Sequence, residues 1–146
     1  MYEYRCIIKR VVDGDTVDVD IDLGFDLWLR DQRIRLYGID TPESRTSDKV
    51  EKVFGKLAAA FVKAYLVEGE SAILRTKKDA AGKYGRILGE FPVSHEWEGV
   101  TINTTVNKLL VDHNLAVAYF GQSKESIAEQ HLKNRELANT NFKVYK

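Results

Sequence analysis

Residues 17 to 23 alternate strictly between apolar and acidic side chains. The apolar residues are Val17, Val19, Ile21 and Leu23, and the acidic residues between them are Asp18, Asp20 and Asp22. Because successive side chains of a strand point to opposite faces, this period of two predicts a β-strand with one apolar face and one solvated acidic face. A turn over residues 23–26 and a second strand through Tyr37 follow, so the first third of the chain is predicted to be β structure.

The period of the apolar residues changes between residues 47 and 68. Five of them follow helical spacing: Val50, Val53, Phe54, Leu57 and Phe61. Ser47 is the predicted N-cap of this helix, and Gly69 is its predicted C-terminal stop. Strand patterns return over residues 71–76 and 86–93, so the middle of the chain is predicted to be a helix followed by two strands.

The last third of the chain carries weaker patterns. Residues 103–113 predict a short helix, and Asn114 can end it in a left-handed conformation. A short strand is predicted over residues 115–120. Ser126 and Glu129, three residues apart, match a capping box that would open a last helix.

The predicted strands cluster instead of alternating with helices, which favours an α+β fold. Five strands with appended helices suit a small Greek-key barrel such as the oligonucleotide-binding (OB) fold. A length of 146 residues predicts one domain over residues 1–146, long enough to bury a core without disulfides. Cys6 is the only cysteine, which excludes an internal disulfide.

Charge and hydropathy restrict the function. The chain has 22 basic and 22 acidic residues, whereas a protein that binds nucleic acid over its whole surface is usually basic. Any binding of nucleic acid must therefore depend on a local cluster of positive charge. No apolar run approaches the roughly 18 residues of a membrane helix, and the N-terminus does not look like a secretory signal. We expect a cytoplasmic protein, of cellular or phage origin, unless a signal has been removed.

Three short segments carry residues that could act together. They are Asp13-Gly14-Asp15-Thr16, Asp40-Thr41-Pro42-Glu43 and Lys83-Tyr84-Gly85-Arg86. Taken singly, the first is typical of a hairpin turn, the second of a loop set by proline and the third of an exposed turn. Taken together, acids that can hold a hard cation and arginines that can hold a phosphate are the ingredients of metal-assisted phosphodiester hydrolysis.

The aspartates of the first strand do not make a helix–loop–helix calcium site. Such a loop needs a glycine where Leu23 stands and a bidentate glutamate where Leu29 stands. On the next strand, Arg33 and Arg35 share one face, and only one of them need reach a site. A guanidinium offers a planar fork that matches two phosphate oxygens.

These segments, in this order, resemble the staphylococcal nuclease (thermonuclease) family. The matching stretches are residues 12–17, 35–43 and 83–86, with further similarity at 106–107, 115–119 and 129–132. The resemblance implies a five-stranded barrel with three helices. It also implies a calcium-dependent nuclease that hydrolyses DNA and RNA to products ending in 3′-phosphates.

The resemblance also implies a role for each site residue. The implied calcium ligands are the side chains of Asp15 and Asp40 and the backbone carbonyl of Thr41. The implied catalytic residues are Arg35 and Arg86, which grip the scissile phosphate, and Glu43, which acts on the attacking water as a base or as an anchor. The implied substrate contacts are Lys83 and Tyr84, on a neighbouring phosphate, and Tyr119, near a base.

The chain departs from the family pattern in three places. Its segment between Val17 and Arg35 is longer and makes a hairpin with Phe25 and Trp28, which either lies on its own barrel or serves a partner. Gly121 stands where a second nucleotide-contacting tyrosine is expected, and the net charge is zero.

Two functions remain to be separated. The first is a monomeric nuclease that prefers single-stranded DNA and RNA with weak sequence selectivity. The alternative is a non-catalytic OB-fold module that binds single-stranded nucleic acid or a protein partner. Turnover in the presence of calcium distinguishes them.

Overall fold

The structure is a computed structural model that describes residues 2–81 and 86–142. In these ranges the strands are β1 (Tyr2–Asp13), β2 (Thr16–Gly24), β3 (Leu27–Leu36), β4 (Ile39–Asp40), β5 (Ser71–Ala81), β6 (Ile87–Glu90), β7 (Pro92–Trp97), β8 (Val100–Thr105) and β9 (Val117–Ala118). The helices are α1 (Lys49–Tyr65), α2 (Val106–Asp112) and α3 (Lys124–Phe142). None of these helices is long and apolar enough to span a membrane.

A closed barrel is formed by strands in the order β1, β2, β3, β6 and β5. Neighbouring strands of the barrel are antiparallel, except for β3 and β6, which are parallel. The β3–β6 pair connects β1, β2 and β3 to the pair of β5 and β6. Val17, Val19 and Ile21 point into the core and are buried, as the alternation predicts. The predicted α+β fold, a five-stranded barrel with three helices, is confirmed.

The acidic row of β2 is not a simple solvated face. Asp20 is only 4% exposed, and its carboxylate accepts hydrogen bonds from Arg30 and from the backbone N–H of Asp31. The Asp31 N–H is the largest cause of a lowered pKa at Asp20. Arg33 binds Asp18 through two hydrogen bonds, at 2.9 and 3.1 Å. The interpretation of this row as solvated is therefore wrong for Asp20, because Arg30 and the backbone of Asp31, both on β3, bind its carboxylate.

Helix α1 is present, but its cap and its buried face differ from the prediction. Asp48, not Ser47, is the N-cap, since its carboxylate accepts from the N–H groups of Val50 and Glu51. The helix buries a narrow stripe of Phe54, Gly55, Ala58 and Val62. Val50 and Val53, although helically spaced, are exposed at its first turns.

The second half of the chain contains a hairpin that the sequence did not predict. The apolar segment predicted as one strand over residues 86–93 is divided between β6 and β7, and β7 pairs with β8. Thr105 caps α2 by accepting from the N–H of Lys108, and Asn114 follows α2 with a positive φ of 61°, as predicted. The last helix begins at Lys124, and Ser123 accepts from the N–H of Ser126, so the predicted capping box at Ser126 is wrong.

The extended β2–β3 hairpin projects into solvent at its tip. Phe25 and Asp26 both have positive φ, 55° and 60°, which is typical of a two-residue type I′ turn. Phe25 is 98% exposed, and Leu27 is also exposed. Trp28 is held by the guanidinium of Arg30, 4.8 Å from its ring centre. The tip of this hairpin therefore does not lie on the barrel.

Candidate active site

The turn between β1 and β2 packs tightly against the loop that follows β4. A Cβ atom added to Gly14 would lie 2.7 Å from the Cβ of Ala58 and 3.1 Å from the side chain of Thr41. Only glycine allows this approach, because real Cβ atoms do not come so close to their neighbours. The Asp-Gly pair is therefore more than a hairpin turn. It brings Asp15 next to the segment that carries Asp40 and Glu43.

Arg35 joins the two aspartates. Its Nη1 lies 3.2 Å from Oδ2 of Asp15, and its Nη2 lies 3.6 Å from Oδ1 of Asp40. The register of the sheet causes this arrangement, because Arg35 on β3 pairs directly with Thr16, the residue after Asp15. The two carboxylates, distant in sequence, thus meet at opposite nitrogens of one guanidinium. Arg33 binds Asp18 instead, so Arg35 is the arginine that reaches the site.

Glu43 lies in the negative field of this cluster. The pKa of its carboxyl is raised above the ordinary value of 4.5, first because the protein displaces part of its water. Repulsion from nearby carboxylates is the second cause, and these include Asp13, Asp15 and Asp40. A raised pKa makes Glu43 a stronger base than an ordinary glutamate. A cation held among the same acids would oppose the repulsion.

Helix α1 supports the loop at Glu43 from below. A Cβ atom at Gly55 would lie 2.5 Å from the carbonyl carbon of Glu43 and 2.6 Å from the backbone nitrogen of Ser44. The Ser44 hydroxyl also donates a hydrogen bond to the carboxylate of Asp13. Gly55 and this bond together fix the backbone that presents Glu43.

His131 completes the surroundings of Asp40, and sequence reasoning did not assign it to the site. Its Nε2 lies 2.8 Å from Oδ2 of Asp40. Because an ionised carboxylate only accepts hydrogen bonds, Nε2 must carry the proton. Nδ1 is buried without a hydrogen-bond partner among the described residues. The only available signal was the similarity over residues 129–132, which gives no role to this histidine.

A groove opens beside the carboxylates. Its volume is about 470 Å³, and its lining includes Arg35, Asp40, Arg86, Tyr119 and Lys124. Tyr119 is half exposed, and its backbone N–H donates to the carbonyl of Gly38 at 2.7 Å. The predicted Arg35, Arg86 and Tyr119 therefore share one surface. Lys83 and Tyr84 lie outside the described residues.

Comparison with known proteins places the chain in a family. Residues 33–143 match the family described as staphylococcal nuclease homologue. The chain belongs to this family. It is 33% identical to a thermonuclease of Staphylococcus intermedius over 78% of this chain and 59% of that protein. It is 30% identical to the endonuclease YhcR of Bacillus subtilis over 81% of this chain and 9% of that protein.

A third relative of the chain is a micrococcal nuclease of Shigella flexneri. The identity is 27%, over 92% of this chain and 69% of that protein. The chain thus spans less than two thirds of the length of the thermonuclease and of the endonuclease.

The oxygen donors beside Arg35 suit a hard cation that takes part of its coordination shell from water or substrate. In the described part of the chain, no three His, Cys, Asp or Glu side chains are grouped to hold a metal. If Asp15, Asp40 and the carbonyl of the buried Thr41 held one ion, water or substrate oxygens would have to complete its coordination shell. Calcium suits this set because it takes six to eight oxygens in a flexible geometry.

Proposed function

We propose that this chain is a calcium-dependent nuclease that hydrolyses the phosphodiester bonds of DNA and RNA. The observation that carries the proposal is the meeting of Asp15 and Asp40 at the guanidinium of Arg35, with Glu43 in the same acidic field. The family and the names of the relatives, which include a thermonuclease and an endonuclease, support this class of reaction.

Asp15, Asp40 and the Thr41 carbonyl would hold the calcium ion. When bound, the ion would supply positive charge that offsets the charge growing on the phosphoryl oxygens. His131 orients the Asp40 carboxylate through its Nε2–H, and Thr16 donates its hydroxyl to Asp15. These bonds hold each ligand in one orientation, which reduces the cost of ordering the site when substrate arrives.

Arg35 and Arg86 would hold the scissile phosphate. Both line the groove beside Asp40, and the Arg35 side chain is 18% exposed and fixed by its two ion pairs. A positioned guanidinium stabilises a transition state whose charge exceeds that of the substrate. The two ion pairs thus keep the Arg35 guanidinium beside the carboxylates, at the groove where a phosphate would lie.

Glu43 would act on the attacking water. Its raised pKa brings it closer to the range of a useful general base, and its position beside the acids brings it near the expected ion. From this position Glu43 could accept a proton from the water or hold the water in place. The family resemblance further implies products that end in 3′-phosphates.

The substrate would be mainly single-stranded and weakly selected by sequence. Tyr119 offers an aromatic ring at the groove, and the adjacent Phe120 is strongly exposed. Stacking on such rings accepts any base, and an unstacked strand presents its bases more readily than a duplex does. We further propose one domain over residues 1–146 that acts as a monomer in the cytoplasm.

Incubation with heat-denatured DNA at mildly alkaline pH tests the proposal. Cleavage with calcium, loss of cleavage with chelator and recovery on adding calcium back are the expected results. An Asp40→Asn variant should stay inactive throughout. Binding of single strands without turnover would instead favour the non-catalytic OB-fold module.

A further inference from the structure

A second groove lies beside the loop that follows Glu43. It has a volume of about 810 Å³ and runs between α1, the end of β1 and the loop of residues 44–46. The cations that line it are Arg45, Lys52, Lys56 and Lys63. No acidic residue is among its described lining, and it shares no lining residue with the groove of Arg35 and Tyr119.

The three lysines form a straight stripe along α1. At 3.6 residues per turn, Lys52, Lys56 and Lys63 fall within a sector of about 40°. The stripe is about 16 Å long, because an α-helix rises about 1.5 Å per residue. Ala59 and Ala60 lie between the lysines and line the same groove, so no large side chain fills its floor.

Among the described residues, no acidic side chain forms an ion pair with these four cations. Arg33 is paired with Asp18, Arg30 with Asp20, and Arg75 with Glu3 and Glu90. The four cations of the groove are all exposed. In a chain of zero net charge, an unpaired row of lysines in a concave surface attracts a polyanion.

The groove begins next to the candidate active site. Ser44 lines the groove, follows Glu43 directly and donates a hydrogen bond to Asp13, whose charge acts on Glu43. A nucleic-acid strand bound at the carboxylates could therefore continue into this groove. A flat lipid surface would not follow its concave floor.

We infer that the groove of Arg45, Lys52, Lys56 and Lys63 binds the phosphate backbone of a nucleic-acid strand beyond the cleaved bond. This inference rests on the proposed function, since it concerns the same substrate. A lysine side chain interacts with phosphate as a point charge and does not recognise the base sequence. The groove would then add affinity for long strands without adding sequence selectivity.

The first test measures binding without cleavage. A fluorescent oligothymidylate of about 16 nucleotides, the upper site size of an OB fold, is titrated in chelator at several salt concentrations. In the triple variant Lys52→Gln, Lys56→Gln, Lys63→Gln, the slope of log K against log salt should fall by roughly two. Each phosphate contact to a single strand contributes about 0.7 to that slope.

The matched control neutralises three exposed lysines that neither line the groove nor lie on the α1 stripe, Lys9, Lys108 and Lys133. It should retain most of the wild-type slope. Glutamine is a good helix former, so both triple variants should keep their helices, which circular dichroism and thermal melting verify. An equal loss in both variants, or no loss in the groove variant, would overturn the inference.

The second test compares substrates of different length. In the groove variant, the KM for a long single strand should rise about 10-fold or more relative to the KM for a dinucleotide. An equal rise in KM for both substrates would contradict binding of a long strand along the groove. If neither the wild type nor the variants cleave any substrate, the proposed nuclease function fails. The salt dependence of binding still decides whether the groove binds nucleic acid.

A third measurement tests whether the groove binds an anionic membrane instead of a nucleic-acid strand. Vesicles of phosphatidylcholine with phosphatidylserine are sedimented with the wild-type protein and with the groove variant. Little binding of either form supports the inference. Lysine-dependent vesicle binding, together with an unchanged slope for the oligonucleotide, would overturn it.

Discussion

At the scale of single residues, one arginine organises the candidate site. Arg35 contacts Asp15 and Asp40 at once, while its neighbour Arg33, on the same face of β3, is engaged by Asp18. The sequence indicated that only one of the two need reach the site. It could not say which, because the choice depends on the acid that the neighbouring strand places opposite each arginine.

Replacing Arg35 tests this assignment. Arg35→Gln should lower kcat by about 100- to 1,000-fold, the usual cost of removing a fixed donor from a developing negative charge. Arg33→Gln, on the same strand, is the matched control and should keep activity near the wild-type level. Equal losses in the two variants would show that β3 as a whole, and not the Arg35 guanidinium, matters.

Glu43 gives a prediction about pH. Its pKa is raised in the folded protein, so the folded state holds this proton more tightly than the unfolded state does. The contribution of Glu43 to stability is thus present below its ordinary pKa and is lost as pH rises through the raised value. Glu43→Gln should therefore raise the melting temperature at neutral pH, measured in chelator, and the gain should vanish below about pH 4.

Two further measurements separate this effect from a general loss of charge. Glu68→Gln, at an exposed position after α1, should not raise the neutral melting temperature comparably. Calcium should reduce the advantage of Glu43→Gln, because a cation opposes the repulsion at the cluster. A melting temperature that falls at neutral pH in Glu43→Gln would contradict the raised pKa.

His131 gives a prediction about the metal. His131→Ala removes the hydrogen bond to Asp40 and should weaken calcium binding by about 10- to 100-fold, as loss of a bond to a metal ligand usually does. His131→Gln, which keeps an N–H donor, should recover part of the affinity. His113→Ala is the control, since that imidazole bonds the carbonyl of Leu109. Calorimetric titration measures all three, and an unchanged affinity in His131→Ala would remove this histidine from the site.

At the scale of elements, apolar periodicity predicted the larger elements and also the weakly patterned α3, but it missed the β7–β8 hairpin. The alternation on β2 marks a face that packs on the core. On α1 the helical spacing predicted the helix but only part of its buried face, and both elements are confirmed. The hairpin of β7 and β8 was missed because its larger side chains, Trp97, Val100 and Ile102, are exposed and mark no buried face. The Glu98-Gly99 turn, with φ of 50° and 79°, was the one local signal for it.

Gly55 links an element to the site and makes a further prediction. Alanine is favoured over glycine in a helix by about 1 kcal/mol, yet here a Cβ would press on the Glu43 backbone. Gly55→Ala should therefore destabilise the fold by roughly 1–3 kcal/mol and lower kcat. Ala64→Gly, at an exposed position of α1, should cost stability with activity retained. Urea unfolding and kcat together separate the two, and a stabilised, active Gly55→Ala variant would contradict the contact.

At the scale of the whole molecule, the site depends on contacts that local patterns do not encode. Asp40 and His131 are separated by 91 residues, and they meet because β4 pairs with β9 immediately before α3. The parallel pairing of β3 with β6 likewise joins segments that lie on either side of α1. The identities of the acids and arginines were available from sequence, through the family resemblance. The sequence did not show which residue each of them contacts, because strand register and helix rotation determine these contacts.

The central claim is that Asp15 and Asp40 hold one ion in common, and calorimetric calcium titration tests it most directly. If they share an ion, Asp15→Asn and Asp40→Asn should each abolish most of the calcium affinity, and the double variant should be little worse than either. Asp22→Asn, at the hairpin end of β2, should bind calcium as the wild type does. Small and additive losses in the two single variants would contradict a shared ion.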